Sequence, residues 1–213
     1  MNLSRWLIVT TLFWTIAGLA QDEELYPDPP PADAAFVRTV NALPDAQTPV
    51  LGERSFPEVA PNTASDYYVV LQGEAQLEAA DISETLSIDA GKFYTLALHM
   101  GAAGPAATLL EDALNDNRAK SVVSLYNLSE LASLELKTAD GETAVVSGVA
   151  PLTTASVQVN PVAVNLAVFG GETAVAELGE VALERGALYS AIVLGPADAP
   201  TLLWELSETV ADE

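Results

Sequence analysis

The chain has 213 residues, half of them hydrophobic, so it carries enough apolar side chains to build packed cores. Its formal net charge of −22, from 30 acidic and 8 basic residues, excludes the basic surface that nucleic-acid binding requires. The sequence has no cysteine and a single histidine, which excludes disulfides, thiol catalysis and histidine-rich metal sites.

The first 20 residues have the pattern of an export signal. Arg5 precedes an apolar run from Trp6 to Leu19, and small residues precede a cleavage site after Ala20. The run is short for a bilayer span of about 20 apolar residues, so cleavage is favoured over retention as an anchor. We therefore predict a cleavable signal peptide over residues 1–20 and an exported mature protein.

Residues 21–33 contain four prolines and four acidic residues upstream of the last three prolines. Proline fixes φ and removes a backbone donor, so this segment is predicted to be an extended arm. It is either a plain spacer or a docking segment in which Leu25 and Tyr26 contact the first module.

The remainder of the chain contains the same series of segments twice. The matched pairs are Val37–Asn41 with Val123–Asn127, Val59–Ser65 with Val149–Ser156, and Gly91–Thr95 with Gly186–Ser190. The order is the same in both copies and the offset between them changes little. This pattern predicts an internal duplication of one module.

Short alternating segments bounded by Gly, Asp or Glu recur through both copies, as in antiparallel β-sandwiches. We predict an all-β fold of two tandem antiparallel β-sandwich modules, over residues 34–117 and 118–208, followed by a polar tail over 209–213. One helical turn is expected near Glu111–Asn117. Val162, Val164, Leu166 and Val168 are expected to share one face of a strand.

Three patterns could carry chemistry, and each has a simpler structural interpretation. His99 lacks any serine in a nucleophile-elbow motif, which favours an ordinary histidine at a strand end. The carboxylates could supply a glycosidase pair, but they are scattered as on a solvated acidic surface. Asp140-Gly141-Glu142 offers only a fragment of a calcium loop, and Asp-Gly between alternating segments favours a hairpin. No metal or cofactor is predicted.

Aromatic residues could instead form a platform for a sugar ring. The candidates are Tyr67, Tyr68, Tyr126 and Trp204. Aromatic residues in strands more often belong to a core, and Tyr67 and Tyr68 must face opposite sides of a sheet. Trp204 has no counterpart in the first copy and is the better candidate for a surface aromatic.

Several motifs resemble the AlgF family. At the start of the first copy these are Leu25-Tyr26-Pro27 and the string Phe36, Val37, Arg38 and Asn41 with its neighbours. In the second copy they are the segment around Asp140 and Gly141, Asn160-Pro161, the segment around Asn165, and Arg185-Gly186. The resemblance covers essentially the whole chain after residue 20 and is densest over residues 134–190.

The resemblance implies a non-catalytic periplasmic adaptor for O-acetylation of an exopolysaccharide, alginate. It also implies partners: a periplasmic polysaccharide O-acetyltransferase, a membrane O-acyltransferase and the polysaccharide itself. A chain of net charge −22 is poorly suited to grip a polyanion, which favours protein partners. The alternatives are a secreted carbohydrate-binding or adhesive protein, and an esterase or acetyltransferase that depends on His99.

Overall fold

The computed structural model describes residues 29–207, and every regular element in that range is a β-strand. The predicted export signal, most of the arm and the polar tail lie outside the described residues. In chain order the strands are β1 (Ala34–Asn41), β2 (Val50–Leu51), β3 (Arg54–Ser55), β4 (Thr63–Ala64), β5 (Tyr68–Leu71), β6 (Gly73–Ala79), β7 (Ile82–Ile88), β8 (Phe93–Gly101), β9 (Gly104–Glu111), β10 (Ser121–Ser129), β11 (Leu134–Thr138), β12 (Ala144–Val149), β13 (Thr153–Val159), β14 (Ala163–Gly170), β15 (Thr173–Ala182), β16 (Leu188–Gly195) and β17 (Thr201–Leu206).

Strands β1–β9 form one sandwich and β10–β17 form a second, which confirms the predicted all-β fold of two tandem modules. In the first module, β4-β1-β8-β9 with β5 beside β1 faces the sheet β3-β2-β6-β7. In the second, β13-β10-β16-β17 faces β12-β11-β14-β15. Pairing is antiparallel except between β1 and β8 and between β10 and β16, which run parallel. The exact module boundaries given above stay predictions.

The duplication extends to buried polar contacts that the two modules share. Asn41 and Asn127 each donate side-chain hydrogen bonds to two carbonyls, those of Asp45 and Val59 and those of Leu131 and Val149. Each amide oxygen also accepts the backbone N–H two residues later. The same side chain therefore holds the same two loops in each module.

A tyrosine corner is also present twice. The hydroxyl of Tyr94 accepts the N–H of Asp89, and that of Tyr189 accepts the N–H of Glu184, five residues upstream in both cases. Such a corner fixes the loop that enters a core strand. Two different contacts at equivalent positions make a duplication the simplest explanation of the fold.

The two modules pack against each other through the sheet that contains β1 and β8 in the first module and the sheet that contains β10 and β16 in the second. A third hydrophobic cluster lies between them and includes Val40 and Ala97 from the first module and Tyr126, Leu128 and Ile192 from the second. Strand β10 is buried along its whole length because one face lines its own module's core and the other faces this seam. This explains why the central strands lack simple alternation of apolar and polar residues.

Two local expectations are wrong. Residues 112–117 contain no helical turn; instead Asn115 and Asn117 bond to nearby backbone groups, as asparagine commonly does in loops. Val162 precedes β14 and is 51% exposed, whereas Val164, Leu166 and Val168 do pack on the second module's core. The chain bends at Pro161, two residues before β14 begins, which separates Val162 from the strand face.

No helix between residues 29 and 207 has the length and apolar character needed to cross a bilayer.

Candidate functional site

Buried polar side chains gather in the seam between the modules. We call this set the buried polar cluster; its members are Arg38, Tyr67, Thr95, Asp112, Tyr126 and Ser190. Arg38 and Thr95 occupy paired positions on the parallel strands β1 and β8. Ser190 lies at the matching position on β16, and Asp112 directly follows β9. Each side chain is at most 7% exposed.

Arg38 joins the two modules. Its Nε donates to Thr95 Oγ1 at 2.9 Å in its own module, and a terminal nitrogen donates to Ser190 Oγ at 2.9 Å in the other. Its guanidinium also lies 5.0 Å from the ring centroid of Tyr67 and 5.2 Å from that of Tyr126. Hydroxyl and aromatic partners are thus supplied to one buried cation from both modules.

Asp112 accepts three hydroxyl hydrogen bonds. Tyr67 and Tyr126 donate to its two carboxylate oxygens at 2.7 Å, and Thr95 Oγ1 lies 2.8 and 2.9 Å from the same oxygens. Thr95 uses its single proton towards Asp112 and accepts from Arg38, so its hydroxyl links the buried anion to the buried cation. A carboxylate in the connection between the modules is therefore tied to both of them.

The electrostatics of the cluster keep Arg38 and the two tyrosines protonated. Burial works to lower the pKa of Arg38, but the surrounding oxygens of Tyr126, Tyr67 and Asp112 outweigh it and raise that pKa. Burial, aided by Asp112, raises the pKa of both tyrosines far above the ordinary value even though Arg38 opposes the rise. Both phenols therefore remain donors at physiological pH.

The cluster does not supply an activated nucleophile. Ser190 Oγ is bound by a guanidinium, which cannot accept a proton and so cannot act as a general base. The buried carboxylate is occupied by three donors. The chemistry of this arrangement is that of a rigid, satisfied hydrogen-bond network.

His99 has a hydroxyl partner that the sequence did not reveal. Nε2 lies 3.0 Å from Thr108 Oγ1, and Nδ1 lies 3.3 Å from the carbonyl oxygen of Met100. The β8–β9 register pairs Ala97 with Thr108, which brings that hydroxyl beside the imidazole. The search for a serine in a nucleophile-elbow motif could not find this contact, because the hydroxyl belongs to a threonine on the neighbouring strand.

A groove opens at each end of the seam. The hairpin-end groove, of about 340 Å³, lies where the central strands end and is lined by Ala42, His99, Met100, Leu128, Leu152 and Pro196 among others. Thr108 is not among its lining residues. The linker-end groove, of about 410 Å³, lies where those strands begin; Tyr67, Phe93, Leu114, Arg118, Leu188 and Ser207 line it. Both grooves take residues from both modules.

The predicted aromatic platform is largely buried. Tyr126 and Tyr67 are 1% and 3% exposed within the cluster, so these two rings are not available to stack on a sugar. Tyr68 is partly buried and packs against the first module's core. Trp204 is half-buried on β17 and stacks on the ring of Tyr189, with centroids 5.3 Å apart. Its role as a surface aromatic stays a prediction.

The remaining motif residues lie in turns and at strand ends. Asp140 accepts from Thr138 Oγ1 at 2.5 Å and from the N–H of Glu142 at 3.0 Å, and these bonds lower the pKa of this exposed carboxyl. Gly141 has a φ of 75°, which completes the predicted hairpin. No group of three or more acidic or histidine side chains suited to a metal ion occurs in residues 29–207.

The second-module motifs also lie at the linker end of the molecule. Asn160 accepts a hydrogen bond from Lys120 Nζ at 2.6 Å. Gly186, with a φ of 78°, donates its N–H to the carbonyl of Lys120, and Arg185 beside it is exposed. Pro161 precedes β14, and the exposed Asn165 accepts the N–H of Ala139 through its carbonyl. These positions shape loops around the start of β10 and the hairpin beside it.

Comparison with known proteins gives consistent matches. The model of the family described as "Alginate O-acetyl transferase AlgF" matches residues 10–190. The alginate biosynthesis protein AlgF of Pseudomonas aeruginosa is 33% identical over 196 residues, which span 92% of this chain and 89% of that protein. Its counterpart in Pseudomonas fluorescens is 32% identical over 190 residues, or 89% of this chain and 86% of the relative.

A solved structure of the C-terminal domain of AlgF from P. aeruginosa is 40% identical, with a TM-score of 0.39, and covers 41% of this chain and 98% of that domain. The family match spans well over half of the sequence, and both relatives are matched over most of their length. These matches confirm the family inferred from the motifs. The chain belongs to the AlgF family.

Proposed function

We propose that this protein is a non-catalytic periplasmic adaptor in the O-acetylation of alginate. Its relatives are named alginate biosynthesis proteins, and the family description refers to alginate O-acetylation. The adaptor holds a periplasmic polysaccharide O-acetyltransferase in place, together with the membrane O-acyltransferase that supplies it.

The buried polar cluster is the observation that carries this proposal. Arg38 and Asp112 bind side chains from both modules, and the hydrogen bonds of the Arg38, Tyr67, Thr95 and Tyr126 side chains run to other members of the cluster. Such a network fixes the two sandwiches at one relative orientation. The hydroxyl and carboxyl groups that could otherwise take part in chemistry are engaged in these hydrogen bonds. A body of fixed shape with a composite groove at either end is suited to holding other proteins at set positions.

The test combines a binding assay with a turnover assay. The purified chain, from residue 21 onwards, is immobilised and titrated with the purified periplasmic acetyltransferase of the same bacterium by biolayer interferometry. The proposal predicts saturable binding, together with hydrolysis of an aryl acetate no faster than in a protein-free blank. Absence of binding would remove the adaptor role.

A second candidate is acyl transfer by the chain itself through Thr108 and His99. The 3.0 Å contact between Thr108 Oγ1 and His99 Nε2 is the specific observation in its favour. Against it, Thr108 does not line the adjacent groove, where an acyl donor would have to bind. Turnover by the wild-type protein that is lost in both Thr108→Val and His99→Ala would establish this candidate in place of the first.

A further inference from the structure

Some basic residues of this acidic protein have an ion-pair or hydrogen-bond partner, whereas others have no acidic partner. Seven of the eight follow residue 20. Lys92 and Lys137 form ion pairs with Glu111 and Glu135, Arg38 is in the buried polar cluster, and Arg54 donates to the carbonyl of Val69. The other three are Arg118, Lys120 and Arg185.

These three have no carboxylate partner within the described part of the chain. Lys120 donates to the neutral amide of Asn160, and Arg118 and Arg185 are exposed and make no hydrogen bond or ion pair with residues 29–207. An unpaired arginine is unexpected in a chain with 30 carboxylates, because most exposed cations there would have an acid within reach. The absence of local partners leaves these guanidinium groups available to another molecule.

The fold brings the three cations to one place. The N–H of Gly186, next to Arg185, donates to the carbonyl of Lys120 at 2.8 Å, and a Cβ on Gly186 would lie 3.8 Å from the carbonyl oxygen of Arg118. The asparagine-bonded loop that ends at Lys120 sets the position of Arg118. Glu184 and Asp116 lie in the same loops, and Asp116 is already bound by Gln158.

The cations adjoin the linker-end groove, whose walls are mainly apolar. Arg118 lines the groove itself, with Phe93, Leu114 and Leu188. Leu114 is 50% exposed and Leu206, at the nearby end of β17, is 49% exposed. An apolar cleft with half-exposed leucines and cations at its rim has the composition of a protein-binding hot spot with a polar edge.

We propose that the linker-end groove is the docking surface for a partner protein, and that it binds an apolar side chain flanked by carboxylates. This inference rests on the proposed adaptor function and assigns it a surface. Charge complementarity at Arg118 and Arg185 selects the acidic flanks, and the walls of the groove take the apolar side chain.

A uronate polymer fits these observations less well. A sugar chain would present few apolar groups to Phe93, Leu114 and Leu188. A long polyanion would also extend beyond the Debye length of about 8 Å at physiological ionic strength and meet the rest of a surface whose chain carries −22. A short acidic segment on a folded partner experiences mainly the local cations.

The test compares two variants of equal net charge. Arg118→Gln with Arg185→Gln removes two unpaired arginines. Ala103→Glu, in an exposed hairpin turn, with Thr173→Glu, at the exposed start of β15, makes the same change in charge elsewhere. Binding of the purified periplasmic acetyltransferase is measured for both at several salt concentrations. We expect about a tenfold rise in Kd for the first variant with a shallower dependence on salt, and less than about a twofold change for the second.

A third variant, Leu114→Ala, tests the apolar wall, and we expect it to raise Kd by about tenfold with the salt dependence unchanged. Equal binding by the two charge variants and the wild type would overturn the groove assignment and leave the adaptor role intact. No binding by the wild type would overturn both. Mannuronate oligosaccharides that bind the wild type but not the arginine variant would identify polymer as the occupant and contradict the inference.

The chain's own acidic tail, residues 208–213, begins beside Ser207 in the groove. A variant that ends at Ser207 is expected to bind the acetyltransferase as the wild type does. If the tail were the occupant, both this truncation and the arginine variant would strengthen acetyltransferase binding, which is the opposite of the predicted direction for the arginines.

Discussion

Replacing Arg38 with methionine tests whether the buried polar cluster holds the two modules together. Methionine fills much of the volume of the arginine stem but lacks the charge and both hydrogen bonds, so the buried carboxyl of Asp112 loses the nearby buried cation. Removing one member of a buried charge pair costs about 3–5 kcal/mol. Because the pair is bridged by Thr95 and not in direct contact, we expect about 3 kcal/mol at the lower end of that range.

For a chain of this length, that loss corresponds to a fall in Tm of about 6–12 °C. Trp204 is the sole tryptophan after residue 20, so its fluorescence reports the second module while circular dichroism reports both. In guanidinium titrations the two signals should coincide for the wild type and separate for Arg38→Met, since the modules would then unfold independently. Arg185→Met, at an exposed arginine, is the matched control and should change stability by less than about 0.5 kcal/mol.

A double-mutant cycle completes the test. Asp112→Asn removes the buried anion, so in its presence Arg38→Met should cost at least about 1 kcal/mol less than in the wild type. The interpretation of the cluster is wrong if Arg38→Met alone costs under about 1 kcal/mol, or if the two changes prove additive.

Three further predictions concern the core and the imidazole. Tyr67 and Tyr126 should not ionise in the folded protein near the ordinary pKa of 10.0, so in absorbance titrations at alkaline pH these two phenols should not contribute to the phenolate signal. Their contribution to stability is full below pH 10 and falls as pH rises above it, because only the unfolded state ionises there. A full set of titrating tyrosines in a folded sample would contradict this. Asn41→Ala and Asn127→Ala should each lower the free energy of unfolding by about 1–3 kcal/mol in denaturant titrations, since each leaves buried carbonyls without a hydrogen-bond donor. A large difference between the two variants would argue against equivalent roles. His99→Ala should leave acetyltransferase binding unchanged, and loss of binding would assign the hairpin-end groove to that partner.

Sequence periodicity was informative wherever a contact is local. The Asp140-Gly141 hairpin joins two strands that are adjacent in the sequence, and the repeated segments contain strands that pair within their own module. The duplicated order of the segments therefore predicted two similar sandwiches. The helical turn predicted near residue 112 failed because asparagine side chains bond the local backbone there in place of a helix.

The sequence did not predict which side chains make contact between the modules. Arg38 and Ser190 are 152 residues apart and meet only because two sheets pack face to face. His99 and Thr108 were missed for a nearer reason: the register of the β8–β9 hairpin places them together, and that register follows from a two-residue turn that the strand pattern alone did not identify. The motif string around Arg38 was a signal for this region, but it gave no indication of what the arginine binds.

The most direct measurement is the ester-acetyl content of alginate, determined by NMR on purified polymer from the source bacterium with and without this gene. The adaptor role predicts that deletion removes acetyl groups while polymer yield is maintained. It also predicts that the wild-type gene restores acetylation, and the groove assignment predicts that the Arg118→Gln, Arg185→Gln variant restores it poorly. Fully acetylated polymer from the deletion strain would contradict the proposed function.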